Sequence, residues 1–301
     1  MANIKEANSI IITYVSHIGI GSPNGSDTGS GNDNEIKKIT AHDGEAYPYY
    51  SGQLIRYSMR QYFKEHGGKL APTEEMIEDG KKKVTPKELA KLCGNPAEFI
   101  DENVFGYMMT KKKENSTVRV SPVRVSPLIS ITKFNEEMDF GTNFTREKPM
   151  PFKTEIHSGY YRGAIVIELD RIGCGSGFEK SGDMTAQKRA EVAKIVINSI
   201  KNLWVPARQS RFLTDISPKF VAAIISKNKN PVFLDAVTIE NNESGISIRE
   251  DYLNNTLDNY SDGIIDHTFG SVKNDIITND NFESLKDSFD KVAVWVDEYY
   301  K

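Results

Sequence analysis

Three polar side chains at helical spacing could bind an anion. Gln53, Arg56 and Arg60 follow Ser51, a residue type that commonly caps helix N-termini. At about 100° per residue the three side chains share one face, and a guanidinium can hold a phosphate through two parallel hydrogen bonds. The amides of a helix N-terminus also attract phosphate. The stretch therefore predicts a helix with a phosphate-binding face, although a surface helix with solvated arginines would show the same pattern.

The opposite face of this predicted helix is apolar. Ile55, Met59, Tyr62 and Phe63 recur at spacings of three or four residues or lie next to one another on that side. Such a stripe predicts packing against a hydrophobic core. A pair of glycines after His66 supplies a C-terminal stop. The helix is thus expected to hold its polar face in place by burying the other one.

Signatures of catalysis are weak in the sequence. The five histidines lack HxH or HExxH spacing, the glycine-rich residues 22–35 lack the GxxxxGK[ST] pattern, and the two cysteines are far apart. Asp33 and Asp43 could serve as a general base or position a metal, but aspartates in polar loops usually form turns. The residue pattern therefore predicts no metal site, no cofactor and no enzymatic activity, and leaves binding as the leading hypothesis.

Composition predicts a globular protein with a sizeable core. The chain has 301 residues, of which 38% are hydrophobic, and no apolar run approaches the roughly 18 residues of a membrane span. The first residues carry both charges and lack the cleavage signature of a secretory signal. These observations predict a cytoplasmic location and no membrane partner.

The net charge of −4 hides an uneven distribution. Residues 235–301 contain 5 Lys and Arg against 15 Asp and Glu, a net charge of −10, so that residues 1–234 carry +6. Attraction to a polyanion depends on the local potential, so an acidic quarter is compatible with nucleic-acid binding elsewhere on the chain. The alternative is an acidic tail that only aids solubility.

Other elements must position the predicted phosphate-binding helix. Residues 9–21 are rich in β-branched side chains and predict a buried strand, while residues 69–117 contain short helical pieces with capping residues. A tandem VRVSP repeat and a returning strand predict a projecting β-hairpin over 118–169. Within it, the five-residue repeat would point Arg119 and Arg124 to opposite faces.

The rest of the chain completes an alternating order of elements. An apolar stripe predicts a helix over 185–204, and a strand follows at 219–226. Residues 231–240 are interpreted as a possible further strand, and a last helix begins near Asn281. Without insertions the order is β, α, β, β, α, β. This order predicts an α+β fold with a ferredoxin-like, or RRM-like, antiparallel sheet and helices on one face.

Four segments in this order resemble the crRNA-binding backbone subunits of type I CRISPR Cascade complexes. These are proteins of the CasC and DevR kind in the RAMP superfamily, and the likeness is to type I-B. The resemblance covers about residues 10–238. The matching segments are AYPYYSGQLIRYSMR at 46–60, FGYMM at 105–109, EIHSGYYRGAIVIEL at 155–169, and the helix at 185–204 followed by PARQSR and KFVAAIIS.

The resemblance implies a single RRM-like domain with the shape of a right hand. The palm would comprise residues 1–68 and 157–301, with helical fingers at 69–117 and a hairpin thumb at 118–156. Such subunits form a helical filament along the crRNA, bind it without sequence specificity and present its bases for pairing with target DNA in antiviral defence. The implied partners are the crRNA, the target DNA, other copies of the chain and other Cascade subunits.

The resemblance also assigns roles to individual positions. The polar face of the predicted helix would hold the guide backbone, Met108 or Met109 would be the wedge near a displaced base, and Phe140 would be a contact from the thumb. Gly52 stands where many members have a second serine, so one hydroxyl contact is missing. The implied RNA-binding residues are Lys38, Ser51, Gln53, Arg56, Arg60, Met108, Met109, Phe140, Arg208 and Arg211.

A catalytic alternative stays open at this point. Related type III backbone subunits cut target RNA with a loop aspartate, and Asp33 or Asp43 would be the equivalent here. The leading hypothesis remains a non-catalytic subunit.

Overall fold

A computed structural model of the chain describes residues 3–22, 33–72, 93–109, 117–143, 150–205, 209–242, 245–272 and 282–301. Residues 73–92 and 110–116 of the predicted fingers, and Arg208, lie outside these ranges. The described helices are α1 (Gly52–Glu65), α2 (Ile100–Phe105), α3 (Ala186–Lys201), α4 (Gln209–Phe212), α5 (Phe233–Ala236), α6 (Glu250–Asn259) and α7 (Leu285–Tyr300). None of these helices is long and apolar enough to cross a membrane.

The strands fall into one large sheet and two short ribbons, β5–β6 and β12–β13. They are β1 (Ser9–Gly21), β2 (Asp33–Asn34), β3 (Lys38–Thr40), β4 (Ala46–Tyr50), β5 (Tyr107–Met109), β6 (Thr117–Arg119), β7 (Val123–Val125), β8 (Leu128–Ser130), β9 (Glu137–Asn143), β10 (Met150–Glu168), β11 (Pro218–Ser226), β12 (Ile239–Asn242), β13 (Gly245–Ile248), β14 (Ile264–Ser271) and β15 (Glu283–Ser284).

The centre of the large sheet has the predicted antiparallel core. β1 lies between β10 and β11, with Ile12 opposite Ile165 on one side and Ala223 on the other. The far edge of β10 pairs with β7 and β8. Across the sheet the core strands therefore lie in the order β11, β1, β10, and then β7 and β8. Along the chain these are the fourth, first, third and second core strands, as in a βαββαβ unit. This arrangement confirms the predicted RRM-like α+β fold.

Apolar side chains cover both faces of this sheet. Ile10 and Ile12 of β1 pack in a core with α1, α3 and α7, while Ile11 and Val15 pack on the other face with Phe233 of α5. The unbroken apolar run in β1 supplies side chains to both faces, as is typical of a strand buried on two sides. The sequence predicted helices on one face of the sheet only. This description is incomplete, because α5 and α6 cover the second face.

The C-terminal quarter departs most from the sequence-based expectation. Residues 231–240 contain α5 and the start of β12, so their interpretation as one strand is wrong. Phe233 and Val237, four residues apart, are both buried against the second sheet face, which a helical turn achieves and an extended strand does not. β14, which extends the sheet beside β11, is also missing from the sequence prediction. Its Asp266 and His267 interrupt the apolar pattern.

Strand β10 takes part in two structures. Residues 150–156 pair with β9 to form a hairpin, and the strand continues from His157 beside β1 in the large sheet. β7 and β8, which the sequence places in the thumb, pair within the large sheet. The named division into palm, fingers and thumb stays a prediction. Within residues 118–156, the β9–β10 hairpin and the end of β6, which pairs with β5, are the parts that pair outside the core strands.

Candidate RNA-binding surface

Helix α1 begins as the sequence predicts. Ser51 has extended backbone angles (φ −67°, ψ 149°), and its Oγ accepts a hydrogen bond from the Leu54 amide at 3.2 Å. A Cβ atom on Gly52 would lie 2.9 Å from the carbonyl oxygen of Val125 in β7. The first turn therefore packs directly on the backbone of the sheet, which gives a physical reason for glycine at this position.

The two predicted faces of α1 are confirmed. Ile55, Met59 and Phe63 are buried in the main core, whereas Gln53 is exposed and the two arginines of the polar face are half-buried. Tyr62 is only partly buried and stacks on His66, with ring centroids 3.8 Å apart. Core packing thus holds the polar face towards solvent.

Arg60 is engaged within the protein. Its Nε lies 3.3 Å from Asp101 Oδ2, and its guanidinium carbon lies 4.8 Å from the centre of the Phe105 ring. Both partners belong to α2. The other Asp101 oxygen, Oδ1, accepts a hydrogen bond from the Ala71 amide at 2.9 Å. Arg60 therefore joins α1 to α2 through a charge pair and a cation–π contact.

Arg56 lies one turn before Arg60 and differs from it. Within the described ranges, its guanidinium has no hydrogen bond or ion pair with another side chain or backbone atom. Burial, and then the like charge of Arg60, lower the pKa of Arg56. Partial burial and a neighbouring cation both disfavour the charged form of an arginine. Binding of an anion therefore stabilises that charged form. Arg56 is thus the side chain on this face best prepared for a phosphate.

Lys38 in β3 is paired with a buried carboxylate. Its Nζ lies 2.8 Å from Glu155 Oε1 and 2.9 Å from Oε2, and 4.3 Å from the centre of the Phe134 ring. Glu155 is only 5% exposed and also accepts a hydrogen bond from the Ile36 amide. The charge of Lys38 is therefore compensated inside the protein.

Arg211 braces α4 against the β9–β10 hairpin. It donates to Thr154 Oγ1 at 3.0 Å, and its Nη2 lies 2.5 Å from Asp139 Oδ2. Its guanidinium carbon also lies 4.9 Å from the centre of the Phe152 ring. This arginine is held at the hairpin by contacts with both of its strands.

Phe140 and Met108 present large apolar side chains to solvent. Phe140 on β9 is 69% exposed and lies opposite Lys153, whose Nζ is 5.8 Å from the ring centre. Met108 on β5 is 74% exposed, whereas Met109 is half-buried and packs against Gly94. Of the two candidate wedge residues, Met108 therefore has the more accessible side chain.

The predicted RNA contacts fall into groups. Ser51, Gln53, Arg56 and Arg60 share the start and the polar face of α1. Lys38, Phe140 and Arg211 contact or pair with three consecutive residues of β10, which are Glu155, Lys153 and Thr154. Met108 and Met109 lie on the separate β5–β6 ribbon.

Sequence reasoning missed the carboxylates that hold these cations. Asp101 and Glu155 lie 41 and 117 residues from their partners, so no local spacing reveals the pairs. The sequence also placed Arg119 on one face of a projecting β-hairpin. Arg119 is 3% exposed and donates to the carbonyl oxygens of Asn103, Arg171, Cys174 and Ser176 and to Asn103 Oδ1. Burial lowers its pKa.

Asp43, one of the two residues of the catalytic alternative, has both oxygens engaged in the β3–β4 turn. Oδ2 accepts a hydrogen bond from the Tyr47 hydroxyl at 2.7 Å, and Oδ1 accepts one from the Glu45 amide at 3.0 Å. The hydrogen bond from Tyr47 lowers the pKa of Asp43 most. The backbone of Asp33 belongs to β2, and its side chain is not among those described. The described residues contain no cluster of three or more His, Cys, Asp or Glu suited to a metal.

Comparison with known proteins shows a shared fold. A chain of a solved structure named "CRISPR RNA-guided surveillance complex, pre-nicking" aligns with a TM-score of 0.64 and 13% identity, covering 96% of this chain and 100% of that one. A chain of a "CRISPR RNA-guided surveillance complex" aligns with a TM-score of 0.60 and 14% identity, covering 95% and 98%. No curated protein matches the sequence. Residues 24–243 match the family described as "CRISPR-associated negative auto-regulator DevR/Csa2", and because this match spans well over half of the chain, the protein belongs to the DevR/Csa2 family.

Proposed function

We propose that the chain is a subunit of a CRISPR RNA-guided surveillance complex of the Cascade type and binds the guide RNA along its sugar–phosphate backbone. Family membership and the fold shared with chains of such complexes support this function. The observation that carries it is Arg56, a half-buried cation next to a second arginine and without an anionic partner in the described part of the chain.

The geometry of α1 suits contact with phosphate and ribose. Arg56 supplies a planar group with several donors, and Gln53 one turn earlier is exposed and can both donate and accept. A subunit that must accept any guide benefits from such contacts, because they leave the pairing edges of the bases free.

Exposed apolar side chains would complete the contact with a single strand. Phe140, with Lys153 opposite it, offers a stacking surface beside a positive charge. Met108 offers a flexible apolar wedge for a displaced base. In this proposal Lys38 and Arg211 act indirectly, because their contacts hold β3 and α4 against the hairpin that carries Phe140.

The proposal extends to assembly. Several copies would lie side by side along the guide together with other Cascade subunits, and the intervening bases would pair with target DNA. The acidic residues 235–301 would face away from the guide, because like charge repels its phosphates. No catalytic role is assigned. Metal-dependent cutting of target RNA at regular intervals, abolished by Asp33→Asn or Asp43→Asn, would contradict that part of the proposal.

The test compares two single-charge variants in RNA binding. Arg56→Gln is expected to weaken binding of several unrelated single-stranded RNAs about tenfold, since it removes a charge-assisted phosphate contact. It should also reduce the slope of log affinity against log salt by about 0.7, the value for one phosphate of a single strand. Lys188→Gln, an exposed position in the first turn of α3, is the matched control. Equal behaviour of both variants would overturn the assignment of α1.

A further inference from the structure

Arg60 and Arg56 share one face of α1 but have different electrostatic surroundings. Arg60 lies against Asp101 and the Phe105 ring, whereas Arg56 has no carboxylate partner within the described ranges. The family resemblance assigns both arginines to the same role. Their contacts indicate that the two charges are not equally available to an external anion.

Asp101 is held in place independently of Arg60. It is 9% exposed, lies in the first turn of α2, and accepts the Ala71 amide through Oδ1. The adjacent Glu102 accepts the Gly94 and Asn95 amides at 2.7 and 2.6 Å, which fixes the same turn of α2 from the other side. Asp101 therefore cannot readily swing away when a phosphate approaches Arg60.

A phosphate at Arg60 would meet two opposing effects. It would gain a guanidinium donor, but it would lie close to a fixed negative charge at a partly buried position where solvent screens charges less than in bulk water. Arg60 would also have to share its donors between the phosphate and Asp101. At Arg56 no carboxylate of the described residues competes with the phosphate, and the charge of the neighbouring Arg60 is already paired with Asp101.

We propose that Asp101 is a built-in counter-ion of the RNA-binding face, which reserves Arg60 for joining α1 to α2 and leaves Arg56 as the principal phosphate ligand. This inference rests on the proposed function. It makes Asp101 a positioning residue that limits how tightly the face holds an RNA backbone. The negative charge of Asp101 thereby lowers the affinity of the polar face of α1 for phosphate.

The test uses the full chain and an unstructured single-stranded RNA of mixed sequence across a salt series. Asp101→Asn keeps an oxygen for the Ala71 amide but removes the charge. It is expected to tighten RNA binding about threefold at low salt and to steepen the salt slope by about 0.7, as Arg60 gains a phosphate. Asp297→Asn, which removes an α7 carboxylate paired with Lys194 of α3, is the control for net charge and should change neither quantity.

Two further variants keep the inference testable if Asp101→Asn does not fold. Arg60→Gln should change RNA affinity less than twofold and leave the salt slope unaltered, while Arg56→Gln makes the slope shallower by about 0.7. In the Arg60→Gln background, Asp101→Asn should no longer steepen the salt slope, because no arginine is released to bind a phosphate. Equal losses from Arg60→Gln and Arg56→Gln, or an Asp101→Asn protein that folds and binds as wild type does, would overturn the inference.

The outcomes separate this inference from the proposed function. RNA binding that depends on Arg56 but is insensitive to Asp101→Asn overturns the counter-ion role alone. A wild-type protein that does not bind RNA overturns both proposals.

Discussion

Lys38 and Glu155, 117 residues apart in the chain, form an ion pair in which Nζ lies 2.8 Å from Oε1. Glu155 belongs to the part of β10 that pairs with β9, and Lys38 opens β3. Because Glu155 is buried, its carboxylate depends on this lysine and on the Ile36 amide for compensation. The pair therefore fixes the base of the β9–β10 hairpin to the segment that leads into α1.

Lys38→Met is expected to lower the free energy of unfolding by about 2 kcal/mol, because it leaves a buried carboxylate with too few donors. Urea denaturation of the purified protein measures this loss. The double variant Lys38→Met/Glu155→Gln should recover part of it, since a neutral amide is less costly to bury. A loss of RNA affinity with unchanged stability would instead show that Lys38 touches the RNA directly.

Gly52→Ala is expected to destabilise the protein by about 1–3 kcal/mol, because the new Cβ would lie 2.9 Å from the Val125 carbonyl oxygen. Thermal and urea unfolding report the change. Gly19→Ala is the matched control, since a Cβ at that position has no atom within 4 Å. A Gly52→Ala protein as stable as wild type would mean that α1 can shift away from β7 at little cost.

Arg119→Met should lower the free energy of unfolding by more than about 3 kcal/mol, since five oxygen atoms in buried and part-buried hydrogen bonds lose the Arg119 donors. Lysine should not rescue the loss, because it lacks the planar array of donors. Arg124→Met, at the same place in the second VRVSP copy, removes an exposed arginine from the buried Glu168. It should cost less than about 1 kcal/mol, because Glu168 keeps Arg171 and Lys229 as partners. Similar losses in the two variants, measured by urea unfolding, would refute this reading of Arg119.

Phe140→Ala should weaken RNA binding by about 1–3 kcal/mol, the range for one base stacked on an aromatic ring. Its stability should stay close to that of wild type, because the side chain is largely exposed. Phe140→Trp should retain binding. Val294→Ala, an exposed apolar position on α7, serves as the control. Equilibrium binding to RNAs of different sequence provides the measurement, and unchanged affinity would remove Phe140 from the proposed surface.

Local patterns were sufficient to predict the main elements and their order. Periodicity and capping within short segments predict Ser51 as the cap of α1 and the division of that helix into an apolar and a polar face. They also predict β1, β10, α3 and β11. The RRM-like fold follows from the order of these strands and helices, because packing the helices against the sheet buries the apolar faces of both. The candidate phosphate-binding residues on α1 were likewise visible as a spacing.

Only the tertiary structure decided which lysine and arginine side chains have their charge compensated within the protein. Arg60 meets Asp101, Lys38 meets Glu155 and Arg119 is buried among carbonyl oxygens, and each arrangement depends on elements far apart in the chain. The covering of the second sheet face by α5 and α6 is of the same kind. Sequence spacing reports which side chains share an element, whereas charge compensation and burial depend on distances between elements, which exist only once the chain has folded.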